Sequence, residues 1–175
     1  MCKVRGRGRQ LGASQLELAV SMVLLAIFLA VFLERAFYYQ EYAEKTAMEM
    51  TLANMRTGLR YRIAELILNN RPSEIPKLAD ENPVSWLAEP PENYLGEFDS
   101  PPRDGTAGRW FYDRRARELV YTVNNGRHFV PDDGGNFTIR YRAARIQGSA
   151  ATSPPGSRAR DWVELTQRQP YAWLR

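Results

Sequence analysis

An unbroken apolar run near the N-terminus constrains this chain more than any other feature. Residues 18–33 read LAVSMVLLAIFLAVFL, with no charge and one hydroxyl, at Ser21. As a helix they would span ~24 Å, close to the ~30 Å hydrocarbon core of a bilayer, and flanking apolar residues can lengthen the run. A buried core helix is the competing interpretation, but a 175-residue chain rarely encloses a helix that is apolar on every side. The run therefore predicts a membrane-spanning helix.

The charges around this run indicate its orientation. Residues 1–12 contain four basic residues and no acidic residue, and the first carboxylate of the chain is Glu17. Because basic segments stay on the cytoplasmic side, residues 1–12 are predicted to be cytoplasmic and the C-terminal part to be exported. A cleaved secretory signal is the alternative, but residues 34–39 continue the helical pattern without a small-residue cleavage site.

The junction between the basic leader and the apolar run has a specific pattern. Gly12 ends the leader, and Glu17 stands five residues later at the start of the apolar helix. This pattern resembles the N-terminal segment of type IV prepilins and of type II secretion pseudopilins, over residues 1 to about 40. The resemblance implies cleavage between Gly12 and Ala13 by a prepilin peptidase, followed by N-methylation of Ala13.

The resemblance also gives Glu17 a role in assembly. A carboxylate at the edge of the hydrocarbon is costly unless it is paired. The α-amino group that cleavage creates on Ala13 would be its partner, in the same helix or on a neighbouring subunit. The alternative is that Glu17 extends to the lipid headgroups alone. The implied partners are prepilin peptidase, other pilin or pseudopilin subunits, an inner-membrane assembly platform and the lipid bilayer.

The helix is predicted to continue well beyond the membrane. Pro72 is the first proline of the chain, and the sequence Asn-Asn-Arg-Pro at 69–72 is a helix stop. Before this stop, six apolar residues recur at spacings of three and four: Met48, Leu52, Met55, Leu59, Ile63 and Leu66. This stripe is predicted to pack against a sheet, with a coiled-coil seam as the alternative.

Strand patterns follow a long connection. Residues 73–108 are rich in Pro, Glu and Asp and predict little regular structure apart from a short turn near 84–87. The predicted strands are 110–113, 118–123, 128–130, 137–141 and 162–166, with turn sequences at Asn125-Gly126 and 133–135. The expected fold is α+β and pilin-like: a long N-terminal helix, membrane-spanning in its first half, packed on a small C-terminal antiparallel β-sheet.

The expected organisation has three parts. Residues 1–12 form a cytoplasmic leader, and residues 13–44 form the transmembrane and stem half of the helix. Residues 45–175 form an exported globular domain that contains the amphipathic half-helix, the connection 73–108 and the sheet in 109–175.

Residues suited to catalysis or metal binding are scarce. Cys2 is the only cysteine, and His128, interpreted as a structural or exposed residue, is the only histidine. We therefore expect no enzymatic activity, no metal site and no cofactor. Asp132 and Asp133 could bind calcium beside Gly134, but an aspartate pair in a turn is more often simply solvated.

The charges of the C-terminal third differ from those before it. Residues 138–175 carry seven arginines against two acidic residues, whereas 73–137 carry twelve acidic against seven basic residues. The candidate binding residues are Arg140, Arg142, Arg158 and Arg160. The segment 156–160, which contains Arg158 and Arg160, loosely resembles the basic loop of DNA-binding minor pilins. Contact with the acidic part of a neighbouring subunit is the favoured alternative.

These features predict a structural subunit, a pseudopilin or minor pilin, of a type II secretion pseudopilus or type IV pilus. Its expected location is the bacterial inner membrane, with the N-terminus cytoplasmic and the C-terminal domain periplasmic or on the filament surface. Two alternatives stay open: a membrane-anchored periplasmic binding module that does not polymerise, and a DNA-uptake or adhesion minor pilin.

Overall fold

The computed structural model describes residues 15–102, 104–131, 135–146 and 162–174. The first element of the fold is a single long helix. This helix, α1, spans Gln15–Leu68. The chain divides into two compact units, Met1–Tyr39 and Gln40–Arg175. The predicted end of the helix is confirmed. Asn70 takes a left-handed conformation with φ 56°, and the Arg71 N–H donates a hydrogen bond of 2.8 Å to the Leu66 carbonyl. Asparagine tolerates this conformation, which closes a helix by satisfying its last carbonyls.

The connection after α1 is more regular than its composition predicts. It contains two 3-10 helices, Pro72–Asp80 and Pro83–Trp86, and a first strand, β1, Tyr94–Phe98. Ile75 and Leu78 are three residues apart and both buried, which is the side-chain period of a 3-10 helix. The expectation of little regular structure in 73–108 is therefore wrong, whereas the turn expected near 84–87 is present as the second 3-10 helix.

The main sheet has five strands in the order β1-β2-β3-β5-β6. Strands β4 and β7 pair separately as a two-stranded sheet. The strands after β1 are β2 Arg109–Asp113, β3 Glu118–Thr122, β4 Phe129–Val130, β5 Thr138–Ile146, β6 Trp162–Gln167 and β7 Ala172–Trp173. All pairings are antiparallel except β1 with β2, which is parallel. The α+β class is confirmed, and the sheet is mixed rather than wholly antiparallel.

The core of the second unit lies between α1 and the main sheet. All six residues of the predicted stripe are at most 5% exposed, which confirms that this face of α1 is covered. They belong to one apolar cluster with side chains from the sheet that include Trp110, Leu119, Tyr141 and Leu165. Full burial of each such side chain contributes roughly 1.5–3 kcal/mol. The stripe is therefore an internal packing face and not a coiled-coil seam.

Gly58 allows α1 to approach the second 3-10 helix closely. A Cβ atom at this position would collide with the backbone carbonyl of Trp86, and a backbone group cannot move aside as a flexible side chain can. Trp86 is itself part of the core. The glycine in the middle of the helix is explained by this contact.

Candidate functional site

The N-terminal part of α1 exposes its apolar side chains. Thirteen large apolar residues between Leu16 and Leu33 are each at least 47% exposed, and no residue in the most apolar window of α1 is buried. The helix is long and apolar enough to cross a membrane. This property is shared with some signal sequences and core helices, but a core helix would be covered by the rest of the chain. This surface is the first candidate functional feature.

Glu17 lies in the first turn of α1 and is exposed. An acidic side chain at this end of a helix interacts favourably with the partial positive charge of the unpaired N–H groups. One turn later, the Ser21 hydroxyl donates a hydrogen bond of 2.8 Å to the Glu17 carbonyl, which satisfies this hydroxyl within the helix. Gly12 and Ala13, the predicted processing residues, lie outside the described residues.

The predicted arginines differ in their surroundings. Arg140 and Arg142 lie two residues apart on β5 and share a face of the sheet. The Arg140 guanidinium lies 3.2 Å from a carboxylate oxygen of Glu118, and Arg168 lies 3.0 Å from the other oxygen. Arg140 is therefore held in an ion pair with the buried Glu118, whereas Arg142 is exposed. Arg158 and Arg160 lie outside the described residues.

The candidate calcium ligands, Asp132 and Asp133, also lie outside the described residues. Within the part of the chain that the structure describes, no group of three or more His, Cys, Asp or Glu residues is arranged to hold a metal ion.

A buried carboxylate that the sequence did not single out lies where the second unit begins. Glu41 is 1% exposed and accepts three hydrogen bonds. The donors are the backbone N–H of His128 at 2.8 Å, its ring nitrogen Nδ1 at 2.7 Å, and the indole N–H of Trp173 at 2.9 Å. Burial alone would raise the pKa of Glu41, but these hydrogen bonds outweigh it and leave the pKa below its ordinary value of 4.5.

A second glutamate, one turn later, holds the adjoining loop. Glu44 accepts hydrogen bonds from the Tyr121 hydroxyl at 3.0 Å, the Asn124 N–H at 2.7 Å and the Asn125 N–H at 2.8 Å. The side-chain amide of Asn125 adds a fourth, at 3.0 Å. Burial and the neighbouring Glu44 carboxylate raise the pKa of Tyr121, so this phenol stays protonated and continues to donate.

Together these two glutamates fix the Asn125-Gly126 turn and the C-terminal strand to α1. The Lys45 ammonium adds a hydrogen bond of 2.8 Å to the Trp173 carbonyl. The signal for this cluster is present in the sequence: Glu41 and Glu44 continue the spacing of three and four that runs through Met48 and Leu52. Their charge excluded them from an apolar stripe, although they occupy the same face of the helix.

Comparison with known proteins yields no relative for this chain. No protein-family model matches it, and neither a curated protein nor a solved structure is similar enough to match.

Proposed function

We propose that this chain is a structural subunit of an exported filament, a pseudopilin or minor pilin. It would be held in the bacterial inner membrane by the first part of α1 before assembly. The observation that carries this proposal is the contrast along α1. Residues near its N-terminus are apolar and exposed, whereas its later apolar residues are buried in the core of a globular unit.

The exposed apolar surface needs an apolar environment. At roughly 1.5 kcal/mol or more for each side chain, transfer of the thirteen large residues between Leu16 and Leu33 from water contributes on the order of 20 kcal/mol. A bilayer supplies that environment for a single precursor. The apolar helices of other subunits would supply it after extraction into a filament, so the same surface serves anchoring and assembly. This role is mechanical and requires no catalytic residue or cofactor.

Glu17 would give this assembly its register. Its carboxylate would pair with the α-amino group that a prepilin peptidase creates on Ala13, in the same helix or on a neighbouring subunit. An unpaired charge next to hydrocarbon is costly, so subunits that align the pair are favoured over subunits that do not. The exported domain would then be periplasmic or lie on the filament surface.

Removal of the leader tests this proposal. The full chain is produced with an active prepilin peptidase, and its intact mass is measured. We expect loss of residues 1–12 and an added methyl group on Ala13, and we expect Gly12→Val to block both. Gly8→Val, the same substitution elsewhere in the leader, is the matched control and should be processed normally.

An unshortened N-terminus in the presence of active peptidase would contradict the pilin assignment. It would favour the alternative of a membrane-anchored periplasmic module that does not polymerise. Such a module would still fractionate with membranes, because its anchor does not depend on the leader.

A further inference from the structure

Two arginines of α1 line a cleft at one edge of the main sheet. Arg56 and Arg60 are one helical turn apart and exposed, and they border a cavity of about 200 Å³ between α1 and β6. The exposed side chains on the β6 side are Trp162 and Glu164, and the rest of the lining is apolar and buried. Among the residues that the structure describes, no hydrogen bond or ion pair engages either arginine. Arg56, Arg60 and Trp162 are called the basic cleft.

The chain around the basic cleft leaves it with an excess of positive charge. Between Glu49 and Glu65, α1 carries three arginines and no acidic residue. Residues 158–164 carry two basic and two acidic side chains, so their charges balance. Like charges one turn apart on a helix repel each other, and a bound carboxylate would relieve this repulsion. The basic cleft therefore suits an anionic ligand that also offers an apolar surface to the 44% exposed indole of Trp162.

A segment with the complementary charge leads into β1. Residues 78–102 contain six acidic residues and no basic residue. Four of these carboxylates have partners within the chain: Asp80, Glu81, Glu97 and Asp99. The other two, Glu89 and Glu92, are exposed and have no hydrogen-bond or ion-pair partner among the described residues. They flank two prolines, and the sequence Glu-Pro-Pro-Glu at 89–92 is called the acidic segment.

The acidic segment is held in place at both ends. Leu87 before it and Tyr94 after it pack against the apolar core, and the Tyr94 N–H donates a hydrogen bond of 2.9 Å to the Pro91 carbonyl. Each proline fixes its own φ, so the segment loses little conformational freedom on binding. Proline-rich peptides dock on exposed aromatic side chains, and Trp162 is such a side chain. The acidic segment therefore matches the basic cleft in charge and in apolar contact.

The basic cleft and the acidic segment lie at opposite edges of the same sheet. The cleft borders β6, whereas the acidic segment ends two residues before Tyr94, where β1 begins, and these are the two outermost strands of the main sheet. Four strand spacings of about 4.8 Å separate them by roughly 19 Å, which is too far for the two charged groups to pair within one chain. Their complementarity can be used only between copies.

We propose that the basic cleft of one copy binds the acidic segment of a second copy of this chain. The guanidinium groups of Arg56 and Arg60 pair with the two carboxylates, and the prolines between them contact Trp162. Because the two surfaces differ, the contact is head-to-tail and leaves one free surface of each kind for further copies. This inference rests on the proposed assembly into a filament and deepens it, since it names a contact between the globular units.

The test measures disulfide formation between two full chains with Cys2→Ser in mild detergent, and needs neither leader processing nor a membrane. One chain carries Ala53→Cys, which is exposed and three residues before Arg56 on the same side of α1. The other chain, distinguished by a longer tag, carries Ala88→Cys, which is exposed and next to Glu89. Asn54→Cys in the first chain is the matched reference, because this exposed position lies about 100° further around the helix.

We expect Ala53→Cys to cross-link with Ala88→Cys several-fold faster than Asn54→Cys does at about 50 mM salt, and this preference to shrink near 500 mM salt, where charges are screened. Arg56→Glu with Arg60→Glu in the first chain should remove the preference. Adding Glu89→Arg with Glu92→Arg to the second chain should restore it, because the charges of the contact are then exchanged.

Equal rates for the two cysteines would overturn the inference and leave the proposed anchoring and processing intact. A preference that the reciprocal charge reversal does not restore would also overturn it, because the arginines would then act within their own chain. Selective cross-linking together with a leader that an active prepilin peptidase does not remove would instead support the contact and overturn the pilin assignment alone.

Discussion

Glu41 and Trp173 are 132 residues apart in the chain, yet the indole N–H of Trp173 donates a hydrogen bond of 2.9 Å to the Glu41 carboxylate. The same carboxylate binds His128, so one side chain of α1 joins β7 and the loop before β4 to the helix. A carboxylate that is 1% exposed is tolerated because its oxygens have donors. The hydrogen bonds among Glu41, His128 and Trp173 thus hold together the first residues of the globular unit and its C-terminal strand.

The first prediction concerns Glu41→Gln. Glutamine has nearly the same size, but its amide weakens the acceptor and turns N–H groups toward the donors of His128 and Trp173. We expect a loss of about 2 kcal/mol in the free energy of unfolding, or roughly 5–10 °C in Tm. Thermal unfolding of the full chain in mild detergent, followed by near-ultraviolet circular dichroism, measures this loss.

The stabilisation by Glu41 should also depend on pH. Because the folded state lowers the pKa of Glu41, its contribution is complete above the ordinary value of 4.5 and is lost as pH falls below it. The stability difference between wild type and Glu41→Gln should therefore shrink over the pH window below about 4.5. A difference that stays constant over this window would show that the charge of Glu41 does not stabilise the fold.

The second prediction compares two sites on opposite faces of α1. Leu59 is 3% exposed and Tyr61 is 74% exposed, two residues apart in the same helix. Leu59→Asp places an unpaired charge in the core and should abolish cooperative unfolding of the globular unit. Tyr61→Asp, with the same new side chain, should change stability by less than about 1 kcal/mol. Similar melting curves for both variants would contradict the packing of the stripe against the sheet.

The third prediction reverses a general rule at Gly58. Alanine in place of glycine within a helix normally stabilises by up to about 1 kcal/mol. Here the added methyl group meets the Trp86 carbonyl, so Gly58→Ala should lower Tm instead. Thr57→Ala, at an exposed neighbouring position, serves as the control for helix propensity. A raised Tm for Gly58→Ala would show that the second 3-10 helix moves away at little cost.

Local periodicity predicted the elements whose exposure alternates regularly. The buried stripe from Met48 to Leu66 follows the helical period, and β5 alternates between buried and more exposed residues with period two from Thr138 to Ala143. The helix stop at Asn70 was also readable, since its cause is local chemistry. These features depend on neighbours within a few residues along the chain.

Elements that depend on distant partners could not be read in this way. Strand β1 contains Gly96 at φ 113°, and its register with β2 is interrupted, so it lacks a regular pattern. Strand β7 has two residues and is held by Glu41 and Lys45 on α1. Glu41 itself was missed because charge is normally a sign of exposure, and only Trp173 and His128 make its burial favourable.

The fourth prediction separates insertion from assembly at Glu17. Glu17→Ala removes a charge next to the apolar segment, so membrane insertion should be unchanged or improved. Incorporation into filaments with a pilus or secretion machinery should fail, because the pairing that sets register is lost. Carbonate extraction measures the first property, and shearing followed by immunoblot measures the second. Glu17→Asp keeps the charge and should retain partial assembly. Normal incorporation of Glu17→Ala would show that Glu17 does not set the register, whereas absence of the wild-type chain from filaments would favour the anchor that does not polymerise.

The last prediction concerns what the C-terminal arginines bind. Arg140 is paired with Glu118, so Arg140→Ala should destabilise the fold by about 1–3 kcal/mol, whereas Arg142→Ala on the same strand should not. With Arg140 already paired, we expect no shift of double-stranded DNA in a gel even near 50 mM salt, where phosphate contacts are strong. The absence of a shift would favour the alternative that the arginines contact an acidic protein partner. A DNA shift would instead support the uptake alternative, provided that the binding affinity falls about 100-fold between 50 and 200 mM salt. Four phosphate contacts require a fall of about this size. Arg158→Ala with Arg160→Ala should then weaken it.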